Sequence, residues 1–284
     1  MGNRLKIRLL AALEILTERL NGCIFSKDLE ALTERLVSSA MTNPARVGSH
    51  VFYHTGGHSA RRMVLGIHEV KTARLASRLL RRGMTFVDIG AHVGFYTLLA
   101  ARAVGRNGHV YAFEPVASNF DLLARNVAAN SYGNTVTVLH KAVSDRTGWM
   151  DIFASGRDSA YSSLHKTPLA GTVGTPVETV SLDDFFRERH WPPVHVVKMD
   201  IEGSEPDALA GMIELSERMP RLKIIIEYNP MLLRAGGRSP EQFLDAIDRL
   251  GLRQKWIISW RLIPVKSSIE IRNTPNLLCE REVS

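Results

Sequence analysis

The sequence predicts an α/β fold with a mostly parallel sheet and helices on both of its faces. Short, continuous apolar runs rich in β-branched residues alternate with helical segments from residue 85 to residue 259. Such runs are typical of strands that are buried on both faces. The stretch VDIGAHVGFYTLLAARAVGRNGHVYAFEP, residues 87–115, reads as a strand, a glycine turn, a helix and a second strand that ends in an acid. A unit of this kind usually holds a nucleotide-like cofactor.

The predicted elements follow this alternation along the chain. A final strand is expected in NLLCERE near the end of the chain. The alternation of strands and helices stops in residues 148–193. This segment contains GWMDIFAS, SSLHK and TPVETVSL, which predict an insertion over the carboxyl ends of the strands. The other strands are predicted at 85–89, 109–113, 136–141, 195–199, 222–228 and 255–259, and the helices at 95–104, 118–129, 206–215 and 240–250.

The composition is that of a globular protein. The chain has 284 residues, of which 45% are hydrophobic and 23% charged. It contains no apolar run near the roughly 20 residues needed to cross a bilayer, and no secretory signal is recognised at its start. Cys23 and Cys279 lack metal-like spacing, so we expect neither a zinc site nor a disulfide framework. A reducing compartment, the cytoplasm, is the expected location.

The net charge of +7 permits an acidic partner but does not require one. The chain has no RNA-binding signature, no zinc finger and no basic tract interleaved with aromatic residues. A nucleic-acid partner is therefore disfavoured.

Residues 1–65 are expected to form a helical extension and residues 66–284 the main domain. The first helix has a leucine stripe at Leu5, Leu9, Leu13, Leu16 and Leu20, and the second has one at Leu29, Leu32, Leu36 and Val37, with Ser26 as its N-cap. The stripes favour packing on the chain's own domain. A lid, a membrane-surface element or a dimerisation element that forms a homodimer are the alternatives.

The turn after the first buried strand discriminates between cofactors. It reads Asp-Ile-Gly-Ala-His-Val-Gly, with Asp88 before Gly90 and Gly94, rather than the G-x-G-x-x-G of dinucleotide sites. The glycines that admit a pyrophosphate are missing, and an acid in the turn suits a cofactor with an ammonium group and no phosphate. S-adenosylmethionine fits this description. Glu114, at the end of the next strand, can accept hydrogen bonds from both ribose hydroxyls.

The sequence resembles the FkbM-type family of class I S-adenosylmethionine-dependent methyltransferases. The resemblance rests on VDIGAHVGFYTLLAA, VYAFEPVASNFDLLARNVAAN, HKAVSD, SLDDF and VVKMDIEGSEPDALAG, which occur in this order. It covers roughly residues 69–227 and implies a Rossmann-like, seven-stranded sheet whose last strand is reversed. His92 stands where the family usually has asparagine.

The resemblance also implies a cofactor site. It places the methionyl end over Asp88, Gly90 and Gly94, and the ribose on Glu114. The cofactor-binding residues expected on this basis are Glu69, Asp88, Gly90, Ala91, His92, Gly94, Phe95, Tyr96, Glu114, Pro115, Asn119, Ala142, Val143, Ser144 and Asp200. For Asp88 the alternative is a helix N-cap, and for Glu69 it is the start of a helix.

Acids that follow the later strands are the candidate catalytic residues. Transfer of a methyl group to a hydroxyl needs alignment and removal of a proton, so a base or a metal is expected. In KMDIEGSE, Lys198 and Asp200 share a strand face, and Glu202 and Glu205 follow. Glu227 ends the next strand, and together with Asp200 it could hold Mg²⁺. The alternative roles are a helix cap for Glu205 and pairing with Lys198 for Glu202.

The sequence therefore predicts an S-adenosylmethionine-dependent O-methyltransferase that acts on a hydroxyl of a small molecule or glycan. The resemblance implies a sugar or polyketide-like natural product as this acceptor, as in secondary metabolism or glycan tailoring. Ser162, Ser163 and His165 in the insertion are candidate acceptor contacts. N-methylation or nucleic-acid methylation is the alternative within enzymes, but an Asn/Asp-Pro-Pro-Tyr-like motif is not found after the fourth strand. The alternative outside enzymes is a cofactor-binding scaffold without catalysis.

Overall fold

The computed structural model describes residues 2–19, 26–155, 159–258, 261–264 and 276–282. The chain divides into two compact units, Met1–Val70 and Lys71–Ser284. Cys23 and Leu20, and the side chains of Leu5, Ser26 and Leu29, lie outside what is described, so the N-cap expected at Ser26 is not tested. None of the helices in the described ranges is both long enough and apolar enough to span a membrane.

The first unit is a helical hairpin followed by a small β-hairpin and a third helix. Helix α1 packs on α2 and on α3. Strands β1 and β2 pair antiparallel. The two long helices agree with the sequence, whereas weak periodicity between residues 43 and 66 concealed the later elements. Their bounds are α1 Gly2–Arg19, α2 Ser26–Ala40, β1 Ala45–Val47, β2 His50–Phe52 and α3 Gly57–Leu65.

Among the described members of the predicted stripes, four leucines are exposed, Leu13 is half-buried and Val37 is buried. Leu9 is 64% exposed and Leu16 50%, while Glu14 and Thr17 on the same helix are buried. On α2, Val37 is buried as expected, but Leu32 and Leu36 are exposed. The periodicity located the helices correctly but assigned the wrong face to the interior, because the buried positions are held by polar contacts.

The second unit is built on an eight-stranded sheet. The sheet order is β12-β11-β13-β10-β9-β3-β4-β5, and β5, β4, β3, β9 and β10 are mutually parallel. Strand β13 runs antiparallel between β10 and β11, which confirms the reversed last strand. The short edge strand β12 adds an eighth strand to the expected seven. The bounds are β3 Thr85–Ile89, β4 His109–Phe113, β5 Val136–Leu139, β9 Val196–Met199, β10 Lys223–Glu227, β11 Arg253–Ile258, β12 Arg261–Pro264 and β13 Asn276–Glu280.

Helices cover the sheet, and β10, next to its central strands, has an apolar middle. Ile224, Ile225 and Ile226 of β10 are fully buried, as expected for a strand that is covered on both faces. Helix α5 packs on β3 and β4, and α6 packs on β5. The bounds are α4 Val70–Leu79, α5 Phe95–Val104, α6 Ala117–Ala129, α7 Leu182–Arg187, α8 Glu205–Ala210, α9 Ile213–Arg218, α10 Pro230–Ala235 and α11 Pro240–Arg249.

The helix predicted at 206–215 is two helices, α8 and α9. Gly211 lies between them, and a Cβ atom there would be 2.1 Å from the Ser144 carbonyl oxygen. The Asp183 carboxylate then accepts hydrogen bonds from the backbone N–H groups of Glu214 and Leu215, which starts the second helix. The close approach of Gly211 to Ser144 and the cap from Asp183 cause the break. Both involve residues that are distant in sequence, so the local hydrophobic periodicity indicates neither of them.

The segment in which the alternation of strands and helices stops contributes to a second, three-stranded sheet. Strand β8 lies between β6, to which it is parallel, and β7, to which it is antiparallel. Ser163 forms an isolated bridge with Phe153, so SSLHK is a single β-contact rather than a strand. The bounds are β6 Ala142–Val143, β7 Gly148–Phe153, a 3₁₀ turn Ser159–Tyr161 and β8 Gly174–Val180.

Candidate functional site

The loop after β3 is a tight turn that fits against two neighbouring elements. Gly90 has φ +78°, and a Cβ atom there would be 2.0 Å from the Asp200 carbonyl oxygen. The backbone N–H groups of Gly90 and Ala91 both donate to the Phe113 carbonyl. Gly94 has φ +96°, and a Cβ atom would be 2.7 Å from Leu123 Cδ1. Glycine is required at Gly90 because the protein's own backbone passes there, a reason that the sequence did not reveal.

His92 connects this turn to the inserted segment. Its φ is +51°, in the left-handed region that asparagine and histidine tolerate better than most side chains. Its backbone N–H donates to Glu114 Oε2 at 2.8 Å, and its Nε2 lies 2.9 Å from Ser159 Oγ. The backbone role of His92 is therefore compatible with the family's usual asparagine, while its ring makes an additional contact.

Glu114 follows β4 and is a buried carboxylate. Oε1 accepts from the Val116 backbone N–H at 3.0 Å and from Asn119 Nδ2 at 3.2 Å. With the His92 N–H, the carboxylate accepts three hydrogen bonds, and an ionised carboxylate has about four acceptor sites. Burial raises the pKa of Glu114 to about 7, and these donors only partly offset that cost.

A pocket opens beside Glu114 at the carboxyl ends of β3, β4 and β9. In open α/β sheets this edge is where ligands bind. Phe113 and Ile152 give the pocket apolar walls, and Asp200 and Ser204 lie on the side of β9. The lining residues are Ile89, Gly90, His92, Phe113, Glu114, Pro115, Lys141, Ala142, Val143, Ile152, Ser159, Ala160, Ser162, Ser163, Leu164, Asp200, Ile201 and Ser204.

Several predicted cofactor residues do not line this pocket. Asn119 supports Glu114, and within the described part of the chain its Oδ1 has no hydrogen-bond partner. The Ser144 hydroxyl donates to Asp145 and to the Met150 sulfur. Phe95 and Tyr96 begin α5 and pack edge to face. Glu69 belongs to the first unit and directly precedes α4.

Asp88 lies on β3 and is 1% exposed. Its Oδ2 accepts a hydrogen bond from the Thr97 hydroxyl in the first turn of α5, whose N-cap is Gly94, so Asp88 contacts that helix without being its N-cap. Burial raises the pKa of Asp88 to about 6, and Lys198, its partner across the sheet, counteracts the rise.

Lys198 and Asp200 form an ion pair, as expected from their two-residue spacing on one strand face. The Lys198 Nζ to Asp200 Oδ2 distance is 2.9 Å, with the lysine side chain 1% exposed and the aspartate 30% exposed. The same ammonium lies 5.1 Å from the centre of the Tyr96 ring. Lys198 is thus a buried cation that faces the candidate site from β9.

Three carboxylates meet where β9 and β10 end. Oxygens of Asp200, Glu202 and Glu227 lie within 4.8 Å of one another. Burial raises the pKa of Glu227 well above its ordinary value, and repulsion from Asp200 and Glu202 adds to the rise. The sequence identified all three acids, and the structure adds Glu202 to the Asp200–Glu227 pair.

Glu205 lies behind this cluster and organises the loop. Its two carboxylate oxygens accept from the backbone N–H groups of Ile201 and Gly203, each at 3.0 Å. It is 3% exposed and is the first residue of α8. Burial raises the pKa of Glu205 to about 7. Glu205 therefore holds the Asp200–Gly203 loop, a role different from the helix cap and from the acceptor contact considered from the sequence.

The inserted segment is fastened to the site by contacts that the sequence did not indicate. Ser163 Oγ lies 3.2 Å from Ser204 Oγ, and both residues line the pocket. His165 Nε2 lies 2.8 Å from Asp207 Oδ2, and Arg238 pairs with the other oxygen of the same carboxylate. His165 thus has an acidic partner and holds the segment in place. Asp207 and Arg238 have no local motif that could have identified them.

Residues 88–253 match the model of the methyltransferase FkbM domain, which covers more than half of the chain. The chain belongs to the FkbM methyltransferase domain family. The hexuronic acid methyltransferase AglP of Haloferax volcanii is 30% identical over 125 residues, which is 44% of this chain and 48% of that protein. The methyltransferase sdnD of Sordaria araneosa is 25% identical over 177 residues, or 52% of this chain and 68% of that protein. The match thus spans about half the length of the first of these relatives.

Solved structures with a similar fold include methyltransferase FkbM from Methylobacillus flagellatus, with a TM-score of 0.44 and 16% identity over 91% of this chain and 60% of that one. A SAM-dependent O-methyltransferase from Thermotoga maritima has a TM-score of 0.43 and 13% identity over 88% of this chain and 82% of that one.

Proposed function

We propose that this chain is an S-adenosylmethionine-dependent O-methyltransferase that acts on a hydroxyl of a sugar or of a polyketide-like small molecule. The observation that carries the proposal is the placement of Glu114 and the three-acid cluster at the same edge of a methyltransferase-family sheet. For partners, we infer this acceptor and a second copy of the chain through the N-terminal helices, and for location the cytoplasm.

The residues around the pocket fit the cofactor. When bound, S-adenosylmethionine supplies an electrophilic methyl group on a cationic sulfur. Glu114 has acceptor capacity left for a ribose hydroxyl, and the apolar wall of Phe113, Val143 and Ile152 suits the adenine ring. Gly90 brings the turn after β3 within contact of Asp200. The buried Asp88 lies behind this turn and adds negative charge near the expected methionyl end.

The acid cluster favours a hydroxyl acceptor. A hexuronic acid, the substrate class in the name of one relative, offers both hydroxyls and a carboxylate. Asp200, Glu202 and Glu227 would repel an anionic carboxylate, whereas they can accept the proton of a hydroxyl. A carboxylate oxygen of this cluster would take the O–H proton of the acceptor, and the cofactor, when bound, would supply the methyl group.

Lys198 and Glu205 would act indirectly in this arrangement. The Lys198 ammonium pairs with Asp200 and favours its charged form, so that Asp200 is ready to accept a hydrogen bond. Glu205 fixes the loop that presents Asp200 and Glu202. Both are positioning residues, and the candidates for direct contact with the acceptor are Asp200, Glu202 and Glu227.

A divalent cation is the second candidate for the same cluster. Oxygen ligands from Asp200, Glu202 and Glu227 suit a hard ion such as Mg²⁺. Dialysis against EDTA followed by a turnover assay distinguishes the two. A cation requirement would be seen as loss of turnover that Mg²⁺ restores, whereas a carboxylate base leaves turnover unchanged.

Turnover of labelled cofactor tests the proposed function. The purified chain is incubated with S-adenosylmethionine and, in turn, with neutral sugars, hexuronic acids, hexuronate methyl esters and polyketide aglycones, and S-adenosylhomocysteine is measured. Formation that depends on a hydroxyl acceptor supports the proposal. Binding of the cofactor without turnover on any acceptor would instead support a scaffold, and turnover on amines or nucleic acid would contradict O-methylation.

Replacing Asp200 distinguishes a role in catalysis from a role in the stability of the fold. We expect Asp200→Asn to lower kcat by about 100-fold, because the amide cannot take a proton. The amide oxygen can still accept from Lys198 Nζ, so the free energy of unfolding should fall by only about 1 kcal/mol. Asp121→Asn, at an exposed aspartate of α6, is the matched control. Equal losses in turnover and stability would make Asp200 a structural residue.

A further inference from the structure

Four residues from four separate segments form a closed ring of contacts that includes the Glu114 carboxylate. His92 lies in the turn after β3, Glu114 follows β4, Asn119 belongs to α6, and Ser159 belongs to the inserted segment. The His92 backbone N–H donates to Glu114 Oε2 at 2.8 Å, and Asn119 Nδ2 donates to Glu114 Oε1 at 3.2 Å. Ser159 contacts both of these donor residues. Its Oγ lies 2.9 Å from His92 Nε2, and its carbonyl accepts from Asn119 Nδ2 at 3.4 Å.

Two of the three hydrogen bonds described for Glu114 therefore come from residues that Ser159 contacts. The third comes from the Val116 backbone N–H, which lies two residues along the same segment. Glu114 and Asn119 are 4% and 1% exposed. Because water cannot readily replace a lost partner of such buried groups, their geometry depends on the protein atoms around them. The position of Ser159 thus affects how the carboxylate is held.

The short 3₁₀ turn that begins with Ser159 is anchored to the rest of the second unit. Ser163 exchanges two backbone hydrogen bonds with Phe153, at 2.8 and 3.3 Å, and its hydroxyl oxygen lies 3.2 Å from Ser204 Oγ. Ser162 Oγ donates to the Ser159 carbonyl at 3.0 Å. Ser159 lines the pocket, and these contacts determine where its hydroxyl and carbonyl groups lie.

The contact between the cofactor turn and Ser159 depends on the imidazole ring of His92. The φ of His92 is +51°, a conformation that asparagine also tolerates. Asparagine at this position would keep the backbone N–H that Glu114 accepts, but its shorter side chain has no atom equivalent to Nε2. His92→Asn therefore removes the contact with Ser159 and leaves the backbone hydrogen bond to Glu114 in place.

We propose that Ser159 is a positioning residue that increases cofactor affinity by holding His92 and Asn119 against the Glu114 carboxylate. It acts through these two residues rather than through a contact of its own with the cofactor. A carboxylate whose other partners are already fixed needs less ordering when a ribose hydroxyl binds, and such pre-organisation increases affinity. This role rests on the proposed S-adenosylmethionine site, since Glu114 must be the ribose acceptor for Ser159 to affect binding.

A double-mutant cycle on Ser159 and His92 tests the proposal by calorimetric titration of the full chain with S-adenosylhomocysteine. Ser159→Ala and His92→Asn should each raise the Kd by about fivefold, the effect of one lost hydrogen bond. The double variant should also lose about fivefold rather than about 25-fold, because both substitutions remove the same contact. Ser159→Thr keeps the hydroxyl and should restore the wild-type Kd. Ser77→Ala, at an exposed serine of α4, is the matched control and should bind like the wild type.

The other outcomes of this cycle overturn the positioning role. Additive losses in the double variant would show that Ser159 acts independently of His92, for example by touching the cofactor itself. An unchanged Kd in Ser159→Ala would show that the contact does not affect binding. Urea unfolding of each variant is the second readout, and a Kd that rises only together with a lower unfolding midpoint would make Ser159 a structural residue. A wild-type chain that does not bind S-adenosylhomocysteine would instead overturn the proposed cofactor site, so the two failures are distinguishable.

Discussion

At the residue scale, the candidate site depends on buried carboxylates whose pKa values are raised. Glu114 and Glu205 both have a pKa of about 7, and Asp88 about 6, with burial as the main cause in each case. A carboxylate that titrates near neutrality makes ligand binding depend on pH in the range where the protein works. Of these three groups only Glu114 lines the pocket, and it would lose part of its burial penalty when a hydrogen-donating ligand binds.

Cofactor affinity should therefore increase with pH through about 7. The ionised Glu114 accepts ribose hydrogen bonds, whereas a protonated one must first lose its proton. One pH unit below a pKa of 7 about a tenth of the carboxyl groups are ionised, so the Kd for S-adenosylhomocysteine should be about tenfold higher at pH 6 than at pH 8. Calorimetric titration at both pH values, in buffers of different ionisation enthalpy, measures this and the accompanying proton release.

Substitution of Glu114 tests whether this carboxylate causes the pH dependence of cofactor affinity. Glu114→Gln should raise the Kd at pH 8 by about tenfold and abolish most of the pH dependence, because a charged acceptor is replaced by a neutral one. Glu217→Gln, at an exposed glutamate of α9, is the control. A pH dependence that persists in Glu114→Gln would assign the titration to another group and contradict the ribose contact.

Glu205 has a different expected signature, since it binds backbone rather than ligand. In Glu205→Gln only one oxygen remains for the N–H groups of Ile201 and Gly203, and the new amide N–H₂ faces a donor. We expect the free energy of unfolding to fall by about 2 kcal/mol, measured by denaturant titration. An unchanged unfolding midpoint would show that the loop does not depend on this carboxylate.

At the scale of elements, the site is built where the loops after β3 and β9 touch. The Gly90 Cα faces the Asp200 carbonyl oxygen so closely that a methyl group would overlap it. The inserted segment closes a third side through the Ser159–His92 and Ser163–Ser204 contacts. Elements that are far apart in sequence are therefore in direct contact at this site, and a change in one of them displaces the others.

Gly90→Ala tests this closeness. The added Cβ would lie 2.0 Å from backbone oxygen, and the φ of +78° is unfavourable for alanine. We expect the free energy of unfolding to fall by about 3 kcal/mol, together with loss of cofactor binding. Gly133→Ala, where no atom lies within 4 Å, should be nearly neutral. Normal stability in Gly90→Ala would mean that the two loops are farther apart than described.

At the scale of the whole molecule, the sequence predicted those features that local pattern encodes. The alternation of apolar strands with helices located the central strands, because a buried strand needs a continuous apolar run. The Asp-Ile-Gly turn, Glu114 and the acids of KMDIEGSE could be assigned to the carboxyl edge of the sheet because they lie at or directly after the ends of strands. The family match over residues 88–253 confirms the resemblance on which the cofactor assignment was based.

Features set by long-range contacts could not be predicted in this way. The leucine stripe of α1 predicted an apolar interior, but Glu14 and Thr17 are buried because Arg61 and Thr33 lie opposite them. The break between α8 and α9 depends on Ser144 and Asp183, which are distant in sequence. The contact of Ser159 with His92 joins a segment without clear periodicity to the cofactor turn. Each of these features can be recognised only in the folded chain.

Calorimetric titration of the purified chain with S-adenosylhomocysteine and, in parallel, with NAD tests the cofactor assignment without need of an acceptor. We expect a Kd of about 10 µM or lower for S-adenosylhomocysteine at pH 8 and no heat of binding with NAD. Binding of NAD alone, or of neither compound, would contradict the assignment of the turn after β3 and of Glu114 to a methyl-donor cofactor.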